Sequence, residues 1–389
     1  MQLSEIQEAL REQRIDAWLF FDHHHRDPLA YRVLGLDPAI EHTRRWYYLI
    51  PAEGEPRGLV HKIEPSVLDT LPGAKAAYSS WGAQVDGLMR LLRSCRRIAM
   101  QYSPHCAIPY VAMVDAGTVE LLRSLGAEVV SSADLIQYFE ARWDEAKLES
   151  HIEAGRRVDG IRAEAFRLAG DRIRQGAPIT EWELMQFMRS RFAASGLVTD
   201  HGPIVGVNEN AANPHYEPAE QGSRRIERDN LLLIDMWAKI DQPRSVYYDI
   251  TWTGYCGLQV PPAVQRVFEV VKEARDLAIH RVRSAMQKGE ILRGFEVDDA
   301  ARMHIREEGF GDSFVHRTGH SIGEEVHGAG ANMDNLETHD ERRVIPWTCF
   351  SIEPGIYLGD FGIRSEVNVF VGEKEARVTG EVQQELVLV

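Results

Sequence analysis

Residues 231–253 read LLLIDMWAKIDQPRSVYYDITWT: an apolar strand carrying Asp235, a turn around DQPRS, and a returning strand carrying Asp249. The outline recurs in residues 349–370, CFSIEPGIYLGDFGIRSEVNVF, with Glu353, a turn around Gly359 to Gly362, and then Glu366. The acids of the two pairs stand 14 and 13 residues apart, and the pairs are offset by 118 and 117 residues. Each half also places a histidine upstream, His215 and His320. Two strand hairpins that each carry two carboxylates are an internal structural repeat in outline, although residue identity between the halves is low.

The surrounding chain supports the repeat. Val158, Ile161, Ala165 and Leu168 recur at helical spacing, and Gly176 and Pro178 then break the run. Thr180-Glu181-Trp182-Glu183 fits a capping box opening a second helix that Gly196 closes. A further pair of helices is expected over 263–287 and 296–308, before the second set of strands. Residues 147–389 therefore read twice as helix, helix, strands, which is an α+β unit with a pseudo-twofold repeat. Residues 1–140 read differently. Strands at 17–21, 46–50 and 127–131 and a helix at 119–125 suggest an α/β unit with a mixed or parallel sheet. The charged segment EARWDEAK, 140–147, marks the boundary.

Carboxylates within strands are costly to bury, by several kcal/mol per ion, unless a cation compensates. Alternation puts Asp249, Thr251 and Thr253 on one face, as it does Arg364 and Glu366, with Ile250 and Ile363 opposite. Four acids and one imidazole bring a charge of about −4 together, which two divalent cations would cancel. Oxygen ligands with a single histidine suit Mn²⁺, Co²⁺, Fe²⁺ or Zn²⁺. Two such ions could share a bridging water or hydroxide and clamp a tetrahedral intermediate, which is hydrolytic chemistry.

The chain has 389 residues, 59 acidic against 44 basic, and a formal charge of −15. That balance argues against nucleic-acid and membrane-surface partners. Cys95, Cys106, Cys256 and Cys349 show no C-x-x-C spacing, and the amphipathic start MQLSEIQEALREQRID is no secretory signal. A cytoplasmic location is expected.

NPHY (213–216), LLLID (231–235), DITWT (249–253), HRTGHSIGEEVHG (316–328), IEPGIY (352–357) and GIRSE (362–366) resemble the peptidase family of methionine aminopeptidase, prolidase and Xaa-Pro aminopeptidase, and its proline-directed branch in particular. The resemblance implies the pita-bread fold for the second unit, and an exopeptidase that cleaves the Xaa-Pro bond of dipeptides or short peptides. It implies two metal ions, Mn²⁺ foremost, on Asp235, Asp249, His320, Glu353 and Glu366. Asp249 and Glu366 would bridge them, and Glu353 would also be the general base. It further implies a catalytic role for His215, substrate contacts for His316 and His327 (the latter also catalytic), a proton-relay or supporting role for Arg364, and a place near the metals for Tyr357. A homodimer follows from the family's habit. Alternatives are a metal-dependent hydrolase of another small amide and a catalytically silent peptide-binding module.

Some residues depart from the pattern. Trp237 replaces a small or acidic residue, Trp252 stands where D-I-T-R-T has arginine, and Val367 stands where an acid often follows the last ligand. The two tryptophans bear on substrate preference. The cluster His23-His24-His25, flanked by Asp22 and Arg26, reads either as an adventitious surface cluster or as a loop that reaches an active site, a neighbouring subunit's included.

Overall fold

The computed structural model describes residues 2–389. The chain divides into two compact units, one closing at Glu140 and the other Ala141–Val389. In the first, α1 (Leu3–Glu12), β1 (Ala17–Asp22), α2 (Pro28–Leu34), β2 (Trp46–Pro51), β3 (Arg57–His61), β4 (Ala74–Tyr78), α3 (Trp81–Leu91), β5 (Arg97–Met100), α4 (Ala116–Ser124), β6 (Glu128–Ser131) and α5 (Ala133–Ile136) follow one another. The six strands form one sheet in the order β4-β3-β2-β1-β5-β6. It is mixed: β1 runs antiparallel to β2 and parallel to β5. Both central strands, β1 and β2, are buried along their whole length, so apolar residues fill both faces instead of alternating.

The second unit opens with α6 (Glu145–Arg174) and α7 (Glu181–Ala194). Thr180 and Glu183 form the expected capping box at the start of α7. Next come β7 (Leu197–Val198), β8 (Ile204–Val207), β9 (Leu231–Ile240) and β10 (Tyr248–Tyr255). The chain then repeats the plan with α8 (Pro262–Lys288), α9 (Gly294–Glu307), β11 (Ser321–Ile322), β12 (Thr348–Ile352), β13 (Gly355–Tyr357), β14 (Gly362–Arg364), β15 (Val367–Val371) and β16 (Ala376–Thr379), and closes on β17 (Val387–Leu388). No described helix is long and apolar enough to cross a membrane.

The two halves differ in one respect that places the acids. β9 and β10 are a continuous antiparallel ladder, with Asp235 opposite Thr251 and Trp237 opposite Asp249. The second half is cut into two short ladders, β12 with β15 and β13 with β14. Glu353 and Pro354 lie in one break, and Ser365 and Glu366 in the other. Proline offers no N–H to continue the ladder. Glu353 and Glu366 therefore sit at strand ends rather than in strand centres, facing one another beyond the Ile352–Val367 pair.

Side chains join the half-sheets. The free edge of β10 needs partners for its backbone at Asp249, Thr251 and Thr253. The Asn368 amide accepts from the Asp249 N–H at 3.2 Å and donates to the Asp249 carbonyl at 2.5 Å. The Gln383 amide does the same for Thr253, at 3.1 and 2.6 Å. Between them, the Glu366 N–H donates to the Thr251 carbonyl at 3.0 Å. On the outer side, α8 buries Val264, Val267, Val271, Ala274, Ala278 and Val282, a stripe at helical spacing. Arg275, fully buried in that stripe, donates to Ser365 Oγ at 2.7 Å and to the Gln383 carbonyl at 2.8 Å, and so holds the residue beside Glu366.

Asn368→Ala strands a buried N–H and a buried carbonyl, each costing about 1–3 kcal/mol. We expect urea denaturation to show a loss of about 3 kcal/mol. An unchanged midpoint would show that the two half-sheets do not depend on this amide.

Candidate active site

Asp235, Trp237, Asp249 and Thr251 share one face of the β9–β10 ladder because directly paired residues point the same way. Glu353, Glu366 and His320 close on that face from the second half. Asp249, Glu366 and His320 each offer a ligand atom within 4.8 Å of the others. His320 Nε2 lies 3.5 Å from Asp249 Oδ2 and 3.3 Å from Glu353 Oε1. Its Nδ1 faces the Ser321 carbonyl at 3.1 Å, which assigns the proton to Nδ1 and leaves the Nε2 lone pair turned toward the carboxylates. Asp235 joins through Arg364, whose Nη2 lies 2.5 Å from Asp235 Oδ2. All five candidate ligands therefore lie in one cluster.

Asp249 Oδ1 and Glu366 Oε1 are buried and have no hydrogen-bond partner among the described residues. Burial, with the repulsion of Asp235 and Glu353, pushes the Asp249 carboxyl up to about 7 despite the nearness of His320. Burial and the charges of Asp249 and Glu353 likewise raise Glu366, and burial with Glu353 raises Asp235 against the pull of Arg364. Glu353 moves the other way. Burial would raise it, but the basic groups around it, with His320 closest and Arg364 and Arg317 as the permanent cations, hold it below the usual carboxylate range. The cluster is short of positive charge, and two lone pairs aim at no donor. An oxygen-rich set with one imidazole could hold hard or borderline divalent cations there.

Around the acids runs a chain of hydrogen bonds. Arg364 Nη1 donates to the Tyr357 hydroxyl at 2.8 Å, and its Nε donates to Thr251 Oγ1 at 3.0 Å. Thr251 in turn donates to Glu366 Oε2 at 2.8 Å, and Ser351 donates to Glu353 Oε1 at 3.0 Å. Tyr357 meets His316 Nε2 at 2.7 Å, while His316 Nδ1 meets the Arg317 carbonyl at 2.7 Å. The consistent assignment has His316 donating from Nδ1 and accepting from Tyr357 at Nε2. Burial holds His316 down at about 4, so it is neutral at neutral pH. His327 packs edge-on to His320 with centroids 4.3 Å apart, and this neighbour, then burial, lowers it too.

His215 is not drawn into this cluster. It stands exposed on loop 213–216, and no described side-chain hydrogen bond ties it to the acids. Its loop is nevertheless built around a buried carboxylate that sequence reading treated only as part of a capping box. Glu181 is fully buried, and its oxygens accept from the Val207 N–H at 2.7 Å, Asn210 Nδ2 at 3.0 Å, the Tyr216 hydroxyl at 2.7 Å and the Arg224 N–H at 2.8 Å. An acid in a helix's first turn is the ordinary response to the helix dipole, so nothing in the sequence set it apart.

The two tryptophans separate. Trp237 lies on the acidic face beside Asp249, and its Nε1 donates to Asp200 Oδ1 at 2.8 Å. A Cβ added at Gly202 (φ 72°) would come within 2.6 Å of the Trp237 ring, so only glycine lets this loop lie against it. Trp252 points to the other face, where the Arg162 guanidinium stacks 3.6 Å above its ring. Trp237 shapes the site; Trp252 packs behind it.

Glu181→Ala leaves the Val207 and Arg224 N–H groups, Asn210, Tyr216 and Ser223 without this acceptor. We expect hydrogen exchange of the Val207 and Arg224 amides to rise by at least ~10-fold and stability to fall by about 2 kcal/mol. Unchanged exchange would remove Glu181 as the anchor of the 208–224 loop.

Comparison with known proteins gives the family and the fold. Over 185 residues the chain is 32% identical to the Xaa-Pro dipeptidase of Pyrococcus furiosus, covering 47% of this chain and 48% of that one. It spans about half the length of the first curated relatives it matches. The solved dipeptidase from Pyrococcus horikoshii superposes with a TM-score of 0.66 at 26% identity, over 100% of both chains. The dipeptidase PepE from Mycobacterium ulcerans reaches 0.72 at 21% identity, over 100% of this chain and 97% of that one, a likeness of fold. The second unit has the pita-bread fold. Residues 152–373, from within α6 to just past β15, match the metallopeptidase family M24, and a match over more than half the chain that contains the whole acidic cluster places this protein in that family.

Proposed function

We propose that the protein is a metal-dependent exopeptidase hydrolysing the Xaa-Pro bond of dipeptides or short peptides, with two divalent ions on Asp235, Asp249, His320, Glu353 and Glu366. The observation that carries this is the pair of buried, partnerless oxygens, Asp249 Oδ1 and Glu366 Oε1, among carboxylates that burial and mutual repulsion disfavour. The 32% identity to a Xaa-Pro dipeptidase supports the choice of bond. Mn²⁺ is the first candidate ion, and a cytoplasmic homodimer completes the reading.

When bound, the ions neutralise the carboxylates, acidify a water as nucleophile and polarise the scissile carbonyl. The chain's own groups supply the rest. Glu353, held ionised by its cationic neighbours and steadied by Ser351, takes a proton at its carboxylate and returns it to the departing imide nitrogen. Arg364 fixes Asp235, Thr251 and Tyr357 together, and through Tyr357 it sets the His316 ring. His316 and His327 contact the substrate's carbonyl or carboxylate oxygens, and His215, on the loop pinned by Glu181, donates to the developing oxyanion. Trp237 gives the site an apolar wall suited to the proline ring.

Three measurements test this reading. Protein purified without chelator should carry close to two ions per chain, and Mn²⁺ at about 100 times its Kd should stabilise the fold by about 2.7 kcal/mol, reversed by chelator. A well-folded chain that takes up no metal sinks the proposal. Glu353→Gln should lower kcat by about 10²–10⁴ without melting the fold, whereas near-normal turnover would exclude Glu353 as base. With Mn²⁺ present, Ala-Pro or Ala-Pro-Ala should be cleaved and Ala-Ala left intact. Cleavage of neither proline peptide would point to another small amide or to a binding module.

A further inference from the structure

The N-terminal unit has a cavity of about 750 Å³ that the reading above does not use. Its walls bring together Arg26, Arg44 and Arg45 with His23, His24 and His61, while Asp115 is the acid among the described lining residues. In a chain of net charge −15, such a convergence of cations runs against the overall composition. The three guanidinium groups form no ion pair among the described residues; Arg44 Nη1 donates to Thr43 Oγ1 at 2.8 Å. The Asp115 carboxylate is already engaged, accepting from the Thr118 N–H and hydroxyl at 2.9 and 2.8 Å. Burial, then the positive charges of His24, Arg26 and Arg45, holds the His23 imidazole below its usual range.

Two loops carry all of these basic groups but His61, which ends β3, and buried Asp22 and His42 help hold both loops in shape. The Asp22 carboxylate, at the end of β1, accepts from the N–H groups of His25, Arg26 and Asp27 at 3.0, 2.7 and 3.0 Å. These bonds hold His24 and His25 at φ 61° and 55°, a conformation that costs non-glycine residues energy. The same carboxylate meets His42 Nε2 at 2.7 Å, which ties in the second loop. Glu64 then accepts from the Thr43 N–H and hydroxyl and from the Arg44 N–H, at 2.9, 2.8 and 2.9 Å. The loops are pre-organised around the cavity. Trp81, 81% exposed, stands on its wall with Tyr78 and Phe21 as further aromatic surface.

We propose that this cleft binds a phosphorylated small molecule with a planar ring, of the nucleotide class. Guanidinium forks match phosphate oxygens bidentately, and three converging arginines exceed what one peptide carboxylate requires. An exposed indole offers a stacking face for a base, worth a further contact without hydrogen-bond selectivity. The volume lies within the range of roughly 300–1,000 Å³ of small-molecule sites. Its test does not depend on peptidase activity.

Calorimetry on the full chain at low ionic strength would titrate ADP, pyrophosphate, adenosine and Ala-Pro. ADP should bind saturably at one per chain, pyrophosphate about 10-fold more weakly, and adenosine and Ala-Pro not measurably. The double variant Arg44→Ala/Arg45→Ala should weaken ADP by at least ~10-fold with the melting temperature unchanged. Arg26→Ala, on the other loop, should act in the same direction and serves if the double variant misfolds. Trp81→Ala should bring ADP down to the affinity of pyrophosphate. No ADP binding at millimolar concentration overturns the proposal, as does ADP binding that the arginine variants leave unchanged. So does a double variant that raises KM for peptide hydrolysis while no phosphate compound binds, since the cleft would then serve substrate.

Discussion

Four carboxylates gathered around one imidazole and one guanidinium, three of the four buried, are the constraint on which the second unit is built. Their mutual repulsion and lost hydration are not offset by Arg364 and His320 alone, as the raised carboxyls of Asp235, Asp249 and Glu366 show. A cluster of this kind persists only if the scaffold over-determines it. Asn368, Gln383 and the Glu366 N–H tie the two half-sheets at the point where the acids meet. The buried Arg275 clamps Ser365 from behind, so the strand end bearing Glu366 is held from the core as well.

The repeat explains how one site is assembled from two similar halves without being symmetric. In the first half the ladder is unbroken, and strand alternation alone presents Asp235 and Asp249 on one face. In the second, Pro354 and the switch from β14 to β15 interrupt pairing, so Glu353 and Glu366 lie where the backbone leaves the ladder. One pair of acids is thus presented by regular structure and the other by its interruption. Glu353 ends with a depressed carboxyl, whereas Asp249 and Glu366 are raised, and Asp235 is raised by burial even with Arg364 beside it.

Much of this was legible in the chain. The strand-borne Asp235 and Asp249, the matched offsets of the two pairs, the capping box at Thr180 and the helical stripe through Val158 all depend on local pattern, and the structure realises them, with Asp235 central in β9 and Asp249 near the start of β10. The strand expected over 46–50 and the mixed sheet around it also follow from local hydrophobic runs. Less legible was anything that depends on which residues approach across long separations. Glu181 looked like a helix-start acid and proved to organise a loop through partners 35 and 43 residues away. Trp237 and Trp252 looked equivalent, two departures beside two acids, yet they lie on opposite faces because one is paired with Asp249 and the other with Ile234.

The same division holds for the molecule as a whole. The sequence by itself determined the identities of the candidate ligands, their spacing and the family to which they point, because side-chain chemistry and strand periodicity are properties of short segments. Only the tertiary structure decided which acid is held ionised, which imidazole nitrogen faces the carboxylates, and which arginines converge on a cavity instead of dispersing over the surface. Those outcomes depend on burial and on distances between residues remote in the chain. Charge interactions in a low-dielectric interior change with every such distance, and sequence spacing does not encode them.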